Sequence, residues 1–509
     1  MRNLLTDPLW RPEDLGTPIP PTPYGVSVCL PTWKSIIGYE EKDPAVINKL
    51  QSGYPRFFIN PIVSKLIEKI EKELARTEER ALVFPRRIHA ERCAQFIKKY
   101  RPSTGADTDP IDQSKTRVIE YGPEKLGVTF FSKDDYSTAR LYWRFCGEIL
   151  SIRQAESALH GKSLERDVIE NGKKAAETIK ERLAEVTGQD ADDVFLFPSG
   201  VAAIYAVHRT ISAILPGLKT AQLDFPYVDT LKIQEYFGAG VHFLPFVTDD
   251  DYDNFRKIIK AESLAGIFSE IPSNPLLKSI DLRRIAAIAV EEKRKIPIII
   301  DDTAATSVNI DVFRIADVAV TSLTKAFSGT GDVLAGSVIL KRNSEFYPAF
   351  KKFLDEYNDN ELYLLDAIIL EEHSRNFAER VRTQSKNGDS LNTFLSGHPK
   401  VSHVYHSSND SRGVYDYFRK PGGGNCSLLS FVLKDGSKTP RLYDSLEFCK
   451  GPSLGTNYTL ICPYTMIAHY DELPFAEKCG VDRNLIRVSC GTEPEAVIIE
   501  RMKRALDQL

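Results

Sequence analysis

The sequence predicts an α/β protein built on a mostly parallel β-sheet with helices on both faces. Between residues 194 and 322, short apolar segments alternate with amphipathic stretches of helical periodicity. Such alternation is typical of a parallel sheet, because each parallel strand needs a long crossover connection to the next. After residue 340, longer helical stretches and separate strands replace the alternation. We therefore expect a second, smaller α+β domain beside the sheet.

The composition favours an ordinary globular enzyme. Of the 509 residues, 42% are hydrophobic and 27% are charged, as in typical soluble domains. The net charge of −4 lacks the basic excess of a nucleic-acid-binding protein, and no apolar run approaches the roughly 20 residues of a membrane helix. The eight cysteines are scattered, which indicates reduced thiols rather than disulfides or zinc. These features predict a cytoplasmic protein, with the nucleus as an alternative location, that binds neither nucleic acid nor membranes.

The hydrophobic pattern predicts the individual elements in chain order. Near the N-terminus we expect an extended proline-rich segment, a helix, a short strand and a polar linker, at 18–23, 62–74, 81–85 and 101–115. The strands of the alternating region are predicted at 194–197, 221–225, 265–271, 296–300 and 318–322. Helices are predicted at 164–186, 282–293 and 361–395, and later strands at 428–433 and 485–489. A last helix at 494–509 follows Thr492 and Glu495, which fit a capping box.

These elements divide the chain into three parts. Residues 1–133 form an N-terminal extension of mixed α/β character, to which the residue pattern assigns no role. Residues 134–345 form the sheet domain, and residues 346–509 form the C-terminal α+β domain. Sheets of this kind bind ligands outside the carboxyl ends of their strands, so we expect functional residues there.

A lysine stands directly after one of the predicted strands. Lys325 follows the strand at 318–322 and precedes a glycine-rich turn, with the hydroxyl groups of Ser322 and Thr324 just before it. A lysine in this position can form a Schiff base with a carbonyl cofactor, and the two hydroxyl groups can bind a phosphate. Taken alone, however, the segment is explained more simply by a solvated lysine at a strand end.

Two upstream features give this lysine a chemical context. Asp301 directly follows the strand at 296–300, where an acid can keep a pyridine nitrogen protonated and make pyridoxal phosphate (PLP) an electron sink. Ser199 and Gly200 follow another strand and begin a helix, whose first amides and dipole suit a phosphate monoester. The order of these features along the alternating pattern predicts a PLP site.

With these residues in view, the sequence from about residue 134 to 509 resembles the trans-sulfuration enzymes of the cystathionine γ-synthase and γ-lyase family. The resemblance implies the PLP-dependent transferase fold of type I, with a sheet of the seven-stranded type. Residues 322–325 match the family's Ser-x-Thr-Lys motif, which implies that Lys325 carries PLP and that Ser322 and Thr324 bind its phosphate. Asp301 matches the acid that faces the pyridine nitrogen.

Further matches imply the rest of a cofactor and substrate site. Ser199, Gly200 and Val201 are similar to the family's phosphate-binding Ser-Gly-Met turn. Tyr227 falls where the family stacks a tyrosine on the cofactor ring, and it is expected to assist as an acid or base. Asn274 matches an asparagine near cofactor and substrate.

The remaining matches concern the substrate and a second subunit. Ser453 matches a serine beside the lysine. Arg487 matches the arginine that binds the substrate α-carboxylate, a task suited to its bidentate geometry. Tyr142 and Arg144 resemble a Tyr-Ser-Arg motif that reaches the phosphate of a neighbouring subunit. The resemblance therefore implies a homodimer or homotetramer with a shared active site.

The sequence also departs from the family pattern. Asp302 replaces an asparagine, Val228 and Asp229 replace two glycines, and Tyr458 stands where several relatives carry a glutamate. These departures leave the substrate preference open. The segments 26–33 and 53–58 look like the extension of fungal cystathionine γ-synthases, which favours the synthase branch.

The resemblance implies γ-replacement on an O-acylated homoserine, expected to be O-acetylhomoserine, with cysteine as the nucleophile and cystathionine as the product. Its substrates would be small amino acids and its cofactor PLP, with no metal. Two alternatives share the fold: an O-acetylhomoserine sulfhydrylase that makes homocysteine from sulfide, and a cystathionine γ-lyase. An alternative of another class is a non-catalytic regulator that kept the fold.

Overall fold

The computed structural model describes residues 2–100, 116–357 and 361–509. The linker predicted at 101–115 lies outside these ranges. Within them the chain forms a seven-stranded, a five-stranded, a three-stranded and a two-stranded sheet. The large sheet and its helices confirm the predicted α/β class.

The N-terminal extension combines small antiparallel sheets with helices. Its elements are β1 (Pro18–Ile19), β2 (Ser27–Val28), α1 (Trp33–Glu40), α2 (Pro44–Ile47), α3 (Pro61–Leu74), β3 (Glu79–Phe84), α4 (Arg87–Tyr100), β4 (Arg117–Tyr121) and β5 (Leu126–Ser132). The side chain of Asn60 caps α3 by accepting the Ile62 amide, and Pro61 occupies the first helical position, where its missing N–H costs nothing. The predicted strand at 81–85 corresponds to β3, and the helix predicted at 62–74 corresponds to α3.

The sheet domain carries the seven-stranded sheet. Its elements are α5 (Tyr136–Cys146), α6 (Ile152–Leu159), α7 (Arg166–Thr187), β6 (Val194–Phe197), α8 (Gly200–Ile214), β7 (Thr220–Leu223), α9 (Val228–Phe237), β8 (Val241–Leu244), α10 (Asp250–Ala261), β9 (Ile267–Glu270), α11 (Leu282–Glu291), β10 (Ile298–Asp301), β11 (Val318–Thr321) and β12 (Gly336–Leu340). The strand order is β6-β12-β11-β10-β9-β7-β8, and only β12 is antiparallel to its neighbours. Each predicted strand of the alternating region is present, because each is apolar on both faces and is covered by helices.

The C-terminal domain is built on the five-stranded sheet. Its elements are α12 (Tyr347–Tyr357), α13 (Leu364–Ser374), α14 (Phe377–Ser396), β13 (Val401–Tyr405), α15 (Arg412–Phe418), β14 (Leu428–Leu433), α16 (Thr439–Ser445), β15 (Cys449–Lys450), β16 (Leu460–Pro463), α17 (Tyr464–Ala468), α18 (Leu473–Lys478), β17 (Ile486–Ser489) and α19 (Glu495–Asp507). The strand order is β13-β14-β17-β16-β15. The single helix predicted at 361–395 is divided into α13 and α14.

The predicted capping box of the last helix is wrong. Helix α19 begins at Glu495 after Pro494, and no side chain caps it. The amide and hydroxyl of Thr492 instead donate to the Asn457 carbonyl. These bonds fasten the loop before α19 to the loop before β16, so the threonine serves tertiary structure rather than the helix.

The N-terminal extension shares its core with the rest of the chain. One apolar cluster includes Leu66 and Phe84 of the extension together with Phe197 and Ile204 of the sheet domain. A second cluster places Leu30 beside Phe448 of the C-terminal domain. The division at 133 and 345 stays a prediction, since packing is continuous across the first boundary.

All eight cysteines are unpaired and buried, in agreement with the expectation of reduced thiols. Among the described residues, no helix is both long and apolar enough to cross a membrane. No cluster of metal-ligating side chains occurs within the same ranges.

Candidate active site

The predicted site residues meet at the carboxyl ends of the large sheet's parallel strands. Ser199 follows β6, Tyr227 follows β7, Asn274 follows β9, Asp301 ends β10 and Lys325 follows β11. Parallel strands bring these positions to one edge of the sheet. The C-terminal domain closes the cavity with two further residues. The predicted residues that line this cavity are Ser199, Gly200, Val201, Tyr227, Asn274, Asp301, Ser322, Thr324, Lys325, Ser453 and Arg487.

The amine of Lys325 lies between two hydroxyl groups. Its Nζ donates to Ser453 Oγ at 2.8 Å and to Tyr54 Oη at 3.1 Å. Burial lowers the pKa of Lys325, and the positive charges of Arg487 and Arg56 act in the same direction, while Tyr54 opposes them. The lysine is therefore not a solvated residue, and its environment favours the neutral amine that a nucleophile or base requires.

Two carboxyl groups stand side by side at the floor of the cavity. Asp301 on β10 is the register partner of Glu270 on β9. Burial raises the pKa of Asp301 to about 6, and burial, followed by the charge of Asp301, raises the pKa of Glu270. Glu270 accepts the backbone amides of Tyr227 at 2.6 Å and of Asn274 at 3.1 Å. It therefore orients both loops, while Asp301 faces the cavity.

The first turn of α8 forms a compact anion pocket. The Ser199 hydroxyl caps the helix by accepting the Ala202 amide at 3.0 Å and donates to the Gly147 carbonyl at 2.9 Å. A β-carbon on Gly200 would lie only 2.7 Å from the β-carbon of Ser322, so only glycine fits there. The first amides of a helix have no partner within it, and its dipole is positive at this end. The pocket therefore suits a phosphate group.

The two hydroxyl residues before Lys325 differ in their surroundings. The amide of Ser322 donates to Thr303 Oγ1 at 2.8 Å, which fixes the backbone of the serine beside the pocket. The Thr324 hydroxyl exchanges hydrogen bonds with the backbone of Ala335, at 3.2 Å and 3.0 Å. Thr324 lines the cavity, but its hydroxyl also joins the lysine loop to the loop before β12.

Arg487 of β17 provides the cationic wall of the cavity. Its Nη1 donates to Asn274 Oδ1 at 3.0 Å and its Nη2 donates to the Ser453 carbonyl at 2.7 Å. The guanidinium lies 4.8 Å from the ring centre of Tyr464. Since a guanidinium has five N–H donors, this anchored arginine keeps donors for a carboxylate.

The residues of this site that the sequence analysis missed include Tyr54 and Arg56. Tyr54 contacts Lys325, and the buried Arg56 forms an ion pair with Asp229 and donates to Tyr227 Oη at 2.6 Å. Although burial alone would raise it, the positive charges of Lys325 and Arg56 lower the pKa of Tyr54. The signal in the sequence is the Tyr-Pro-Arg segment within 53–58, where the resemblance implies a fungal extension but no role for the single residues.

Tyr142 and Arg144 do not line the cavity of their own chain. Tyr142 is 1% exposed, and its hydroxyl donates to the buried Glu148 at 3.0 Å. It therefore packs in the core of its own chain, and the predicted contact of Tyr142 and Arg144 with the phosphate of a neighbouring subunit stays a prediction. The guanidinium of Arg144 stacks 4.0 Å from the ring centre of Phe57 and lines a separate outer cavity.

The three departures from the family pattern have different consequences. Asp302 accepts the hydroxyl of Ser307 at 2.5 Å and does not line the cavity. Tyr458 is buried and donates to the Thr330 carbonyl at 3.4 Å. Asp229 forms an ion pair with the cavity residue Arg56, and after burial the charge of Asp302 also contributes to the raised pKa of its neighbour Asp301.

The residues present fit PLP. A lysine amine, a buried carboxyl group, a ring tyrosine and a glycine-dependent anion pocket surround one cavity, and each corresponds to one part of that cofactor. The fold and the site together define a PLP-dependent enzyme of fold type I.

The comparison with known families identifies the group more closely. Residues 161–507 match the family described as Cys/Met metabolism PLP-dependent enzyme, and residues 62–151 match the N-terminal domain of fungal trans-sulfuration enzymes. The chain therefore belongs to the Cys/Met metabolism family of PLP-dependent enzymes and carries the fungal type of N-terminal domain.

Individual relatives agree with this assignment. The chain is 31% identical to a cystathionine γ-synthase of Neurospora crassa, over 97% of this chain and 98% of the relative. It is 30% identical to a cystathionine γ-synthase of Saccharomyces cerevisiae, over 97% and 99%. A solved structure from Campylobacter jejuni, described as an O-acetylhomoserine (thiol)-lyase, carries a pyridoxyl-lysine monophosphate. It shares the fold with a TM-score of 0.57 and 24% identity, over 65% of this chain and 86% of that one.

Proposed function

We propose that this enzyme catalyses a γ-replacement that joins an O-acylated homoserine, O-acetylhomoserine in particular, to cysteine and forms cystathionine. The observation that carries the proposal is the double role of Ser453. Its hydroxyl accepts from the Lys325 amine, while its carbonyl accepts from Arg487. An amino acid whose carboxylate binds Arg487 therefore presents its α-carbon to Lys325. The similarity to fungal cystathionine γ-synthases supports the choice of substrates.

The arrangement of the cavity supports a role for each residue. Arg487, held by Asn274, would bind the substrate carboxylate with its free donors. Lys325 would hold PLP at rest and, once the substrate amine has displaced it, take the proton from the α-carbon. The anion pocket at Ser199, Gly200 and Ser322 would hold the phosphate. In this arrangement the α-carbon proton would lie beside a base whose pKa is already lowered.

Bound PLP supplies an electron sink for the charge that develops at the α-carbon. Asp301 would hold a proton on the pyridine nitrogen, since an ionised carboxylate gains a cationic partner there. Tyr227 would pack on the ring, and its hydroxyl, fixed by Arg56, would face the substrate. A second proton would have to leave the β-carbon before the γ-acyloxy group departs as a carboxylate. The sulfur of cysteine would then bond to the γ-carbon as its thiol proton is released, and protons would return to the β- and α-carbons.

Related activities of the same fold differ from this reaction in the nucleophile or in the direction of the reaction. A sulfhydrylase would accept sulfide in place of cysteine and release homocysteine, and a γ-lyase would cleave cystathionine. Solved structures of the same fold and equal similarity carry descriptions of both kinds, so the sulfhydrylase and the γ-lyase stand as equal alternatives. We also propose a cytoplasmic homodimer or homotetramer, in line with the sequence analysis.

One experiment separates these activities. Purified enzyme is given O-acetylhomoserine with either cysteine or sulfide, or cystathionine alone, and the products are identified by mass spectrometry. We expect cystathionine to form much faster than homocysteine, and cystathionine alone to persist. A preference for sulfide would show that the enzyme is a sulfhydrylase. Cleavage of cystathionine would show that it is a γ-lyase. Lys325→Ala is the inactive control, and it should also lack the visible absorption band of the lysine-bound cofactor.

A further inference from the structure

Helix α14 carries a buried polar stripe on the face that it turns toward the active-site loops. The stripe consists of Arg380, Gln384 and Asn387, which recur at intervals of four and three residues and therefore lie on one side of the helix. These residues are only 7%, 1% and 4% exposed. A helix face that is buried so deeply is usually apolar, and buried polar groups need hydrogen-bond partners. The partners of the stripe therefore indicate its purpose.

Arg380 binds the loop that directly follows Lys325, here called the lysine loop (326–329). Its Nη2 donates to the carbonyls of residues 326–328, at 3.0, 2.9 and 3.2 Å. Its Nη1 donates to the His373 carbonyl at 3.0 Å and to Asn376 Oδ1 at 2.5 Å. All these acceptors are neutral oxygens, and burial lowers the pKa of Arg380 to about 10. A cation in this position stabilises the partial negative charge of successive carbonyls.

The lysine loop passes closely over this arginine at Gly329. The glycine has a φ of 73°, a conformation that residues with a side chain rarely adopt. A β-carbon at this position would lie 2.9 Å from Arg380 Nε and 2.4 Å from Asn457 Oδ1. Because the backbone touches the guanidinium so directly, the lysine loop has a fixed separation from α14.

Gln384 binds the second loop, here called the serine loop (453–457). Its Nε2 donates to the Thr456 carbonyl at 2.7 Å. Thr456 lies three residues after Ser453, whose hydroxyl accepts from Lys325 and whose carbonyl accepts from Arg487. Gln384 therefore holds the segment that contacts both charged groups of the site.

Asn387 binds the third loop, here called the arginine loop (490–493), which follows β17. Its Nδ2 donates to the carbonyls of Gly491 and Glu493, both at 2.9 Å. Arg487 lies on β17, and the loop begins directly after this strand. Asn387 therefore fixes the end of the strand that carries the arginine.

The three loops are also joined to one another. The Asn457 amide of the serine loop donates to the Gly329 carbonyl of the lysine loop at 2.6 Å. The Asn457 carbonyl accepts the Thr492 amide of the arginine loop at 2.7 Å. The loops thus form one connected unit, and each residue of the stripe binds a different part of it.

We propose that the polar stripe of α14 sets the distances between Lys325, Ser453 and Arg487 by holding the loop that follows each of them. The three residues of the stripe do not line the cavity, so they are positioning residues. Because α14 belongs to the C-terminal domain, the stripe fixes the lysine of the sheet domain relative to the arginine of the other domain. The proposal rests on the roles of Lys325 and Arg487 in the proposed function, but it does not depend on the nucleophile.

The experiment examines the two ends of the stripe separately, with two readouts on PLP-loaded enzyme that need no turnover. The first readout is the pH at which the visible band of the lysine-bound cofactor changes, which reports the surroundings of Lys325. The second is the apparent dissociation constant of propionate, measured from the change in the same band. Propionate has a carboxylate for Arg487 but no amine that could displace the lysine.

We expect each variant to change mainly one readout. Arg380→Lys keeps the charge but presents its donors from a single atom, so it should shift the titration of the visible band and lower kcat about tenfold to 100-fold. Asn387→Ser stays polar but is too short to reach the arginine loop. It should weaken propionate binding about tenfold, since two hydrogen bonds are lost, and leave the band titration unchanged. Gln384→Ser should change both readouts, and it replaces either variant if that variant does not fold.

The matched control is Arg382→Lys, at an exposed position of the same helix, which should equal the wild type in every readout. The free energy of unfolding is measured for each variant in parallel. A merely structural role would lower this free energy and leave both readouts of the folded enzyme unchanged, which would overturn the proposal. Equal changes of both readouts in Arg380→Lys and Asn387→Ser would overturn it as well. If the wild type forms no cystathionine while the readouts separate as expected, only the proposed function fails.

Discussion

At the scale of single residues, Ser453 holds the site together through an unusual backbone conformation. Its φ of 115° lies where residues with a side chain are rarely found. In this conformation its hydroxyl faces Lys325 and its carbonyl faces Arg487. Strain of this kind persists only where the surrounding structure enforces it. Two residues later, the Gly455 amide donates to Ser489 Oγ at 2.7 Å, which supplies part of that support.

Replacing Ser453 by alanine should remove one acceptor from the lysine amine. A hydrogen bond between neutral groups contributes about 0.5–1.5 kcal/mol, so we expect kcat to fall about twofold to tenfold while the KM for the homoserine ester changes little. Steady-state kinetics measures both constants. Ser453→Gly serves as the comparison, because it also lacks the hydroxyl but tolerates the backbone angle. A kcat in either variant equal to that of the wild type would show that the hydroxyl has no part in placing Lys325.

The buried carboxyl group of Asp301 is expected to lower the stability of the chain without PLP, although the proposed function requires it. Its pKa rises to about 6 in the folded chain from a usual value near 3.9, so the folded chain without PLP holds a proton that the unfolded chain releases. The stability of this apo form therefore falls as the pH rises from about 4 to about 6. Asp301→Asn removes this effect and should raise the free energy of unfolding at pH 7 by about 1–3 kcal/mol.

Chemical denaturation of the apo forms at pH 4 and pH 7 tests this expectation. The gain should appear at pH 7 and largely vanish at pH 4. The same variant should be almost inactive when loaded with PLP, because the pyridine nitrogen loses its anionic partner. Asp301→Asn that is no more stable at pH 7 than the wild type would contradict the burial argument.

Arg487 should not tolerate replacement by lysine. The guanidinium is held by Asn274 and Ser453 and presents a planar fork, whereas an ammonium keeps the charge but loses the bidentate geometry. We expect Arg487→Lys to raise the KM for the amino-acid substrate by about tenfold to 100-fold, corresponding to about 1.5–3 kcal/mol. An unchanged KM would show that Arg487 does not bind the substrate carboxylate. The proposed orientation of the substrate would then have no basis.

At the scale of elements, one buried lysine joins the N-terminal segment to β15. Lys450 is fully buried, and its ammonium donates to the carbonyls of Pro31 and Asp444 at 2.9 Å and 3.0 Å. Its ammonium also lies 5.0 Å from the ring centre of Tyr443. Carbonyl dipoles and an aromatic ring only partly replace water around a cation. Burial therefore lowers the pKa of Lys450 to about 7.

This shift predicts how stability changes under alkaline conditions. Between about pH 7 and pH 10 the unfolded chain keeps a proton that the folded chain has lost, so the penalty for burying the ammonium disappears and stability rises with pH. We expect Lys450→Met to flatten this rise, measured as the free energy of unfolding at pH 7, 8.5 and 10. Lys34→Met, at an exposed position of α1, should keep the slope of the wild type. A slope that survives in Lys450→Met would assign the pH dependence to other groups.

At the scale of the whole molecule, the sequence predicts more of the fold than of the site. The strands at the carboxyl edge were predictable because they are apolar throughout, and their ends place Ser199, Asp301 and Lys325 without further information. The role of Tyr142 and Arg144 could not be read from the sequence, because the pattern Tyr-x-Arg occurs three times, at 54–56, 142–144 and 417–419. Only packing decides between them: the first pair faces the cavity, whereas Tyr142 is buried against Glu148. A three-residue pattern contains no information about burial.

The shared core predicts that cofactor binding stabilises all parts together. Since the cavity is lined by the extension and by both domains, PLP should bind only when all three are folded. At a PLP concentration 100 times its dissociation constant, the free energy of unfolding should rise by about 2.7 kcal/mol. Scanning calorimetry should show a single transition that moves to higher temperature with PLP. In Lys325→Ala the shift should be smaller, and a separate, PLP-independent transition of the extension would contradict the shared core.

Because all eight cysteines are buried, their reaction with a thiol reagent reports local opening of the structure. A thiol reagent such as a maleimide reacts with the thiolate, so a sulfur atom shielded from solvent reacts only when its surroundings open. Cys93 and Cys146 lie in the core shared by the extension and the sheet domain, whereas Cys490 lies in that of the C-terminal domain. Mass-spectrometric labelling over time would thus map which region opens first, and no engineered cysteine is needed. For an enzyme proposed to handle free cysteine, the same shielding keeps its own sulfur atoms from competing with the substrate for disulfide exchange.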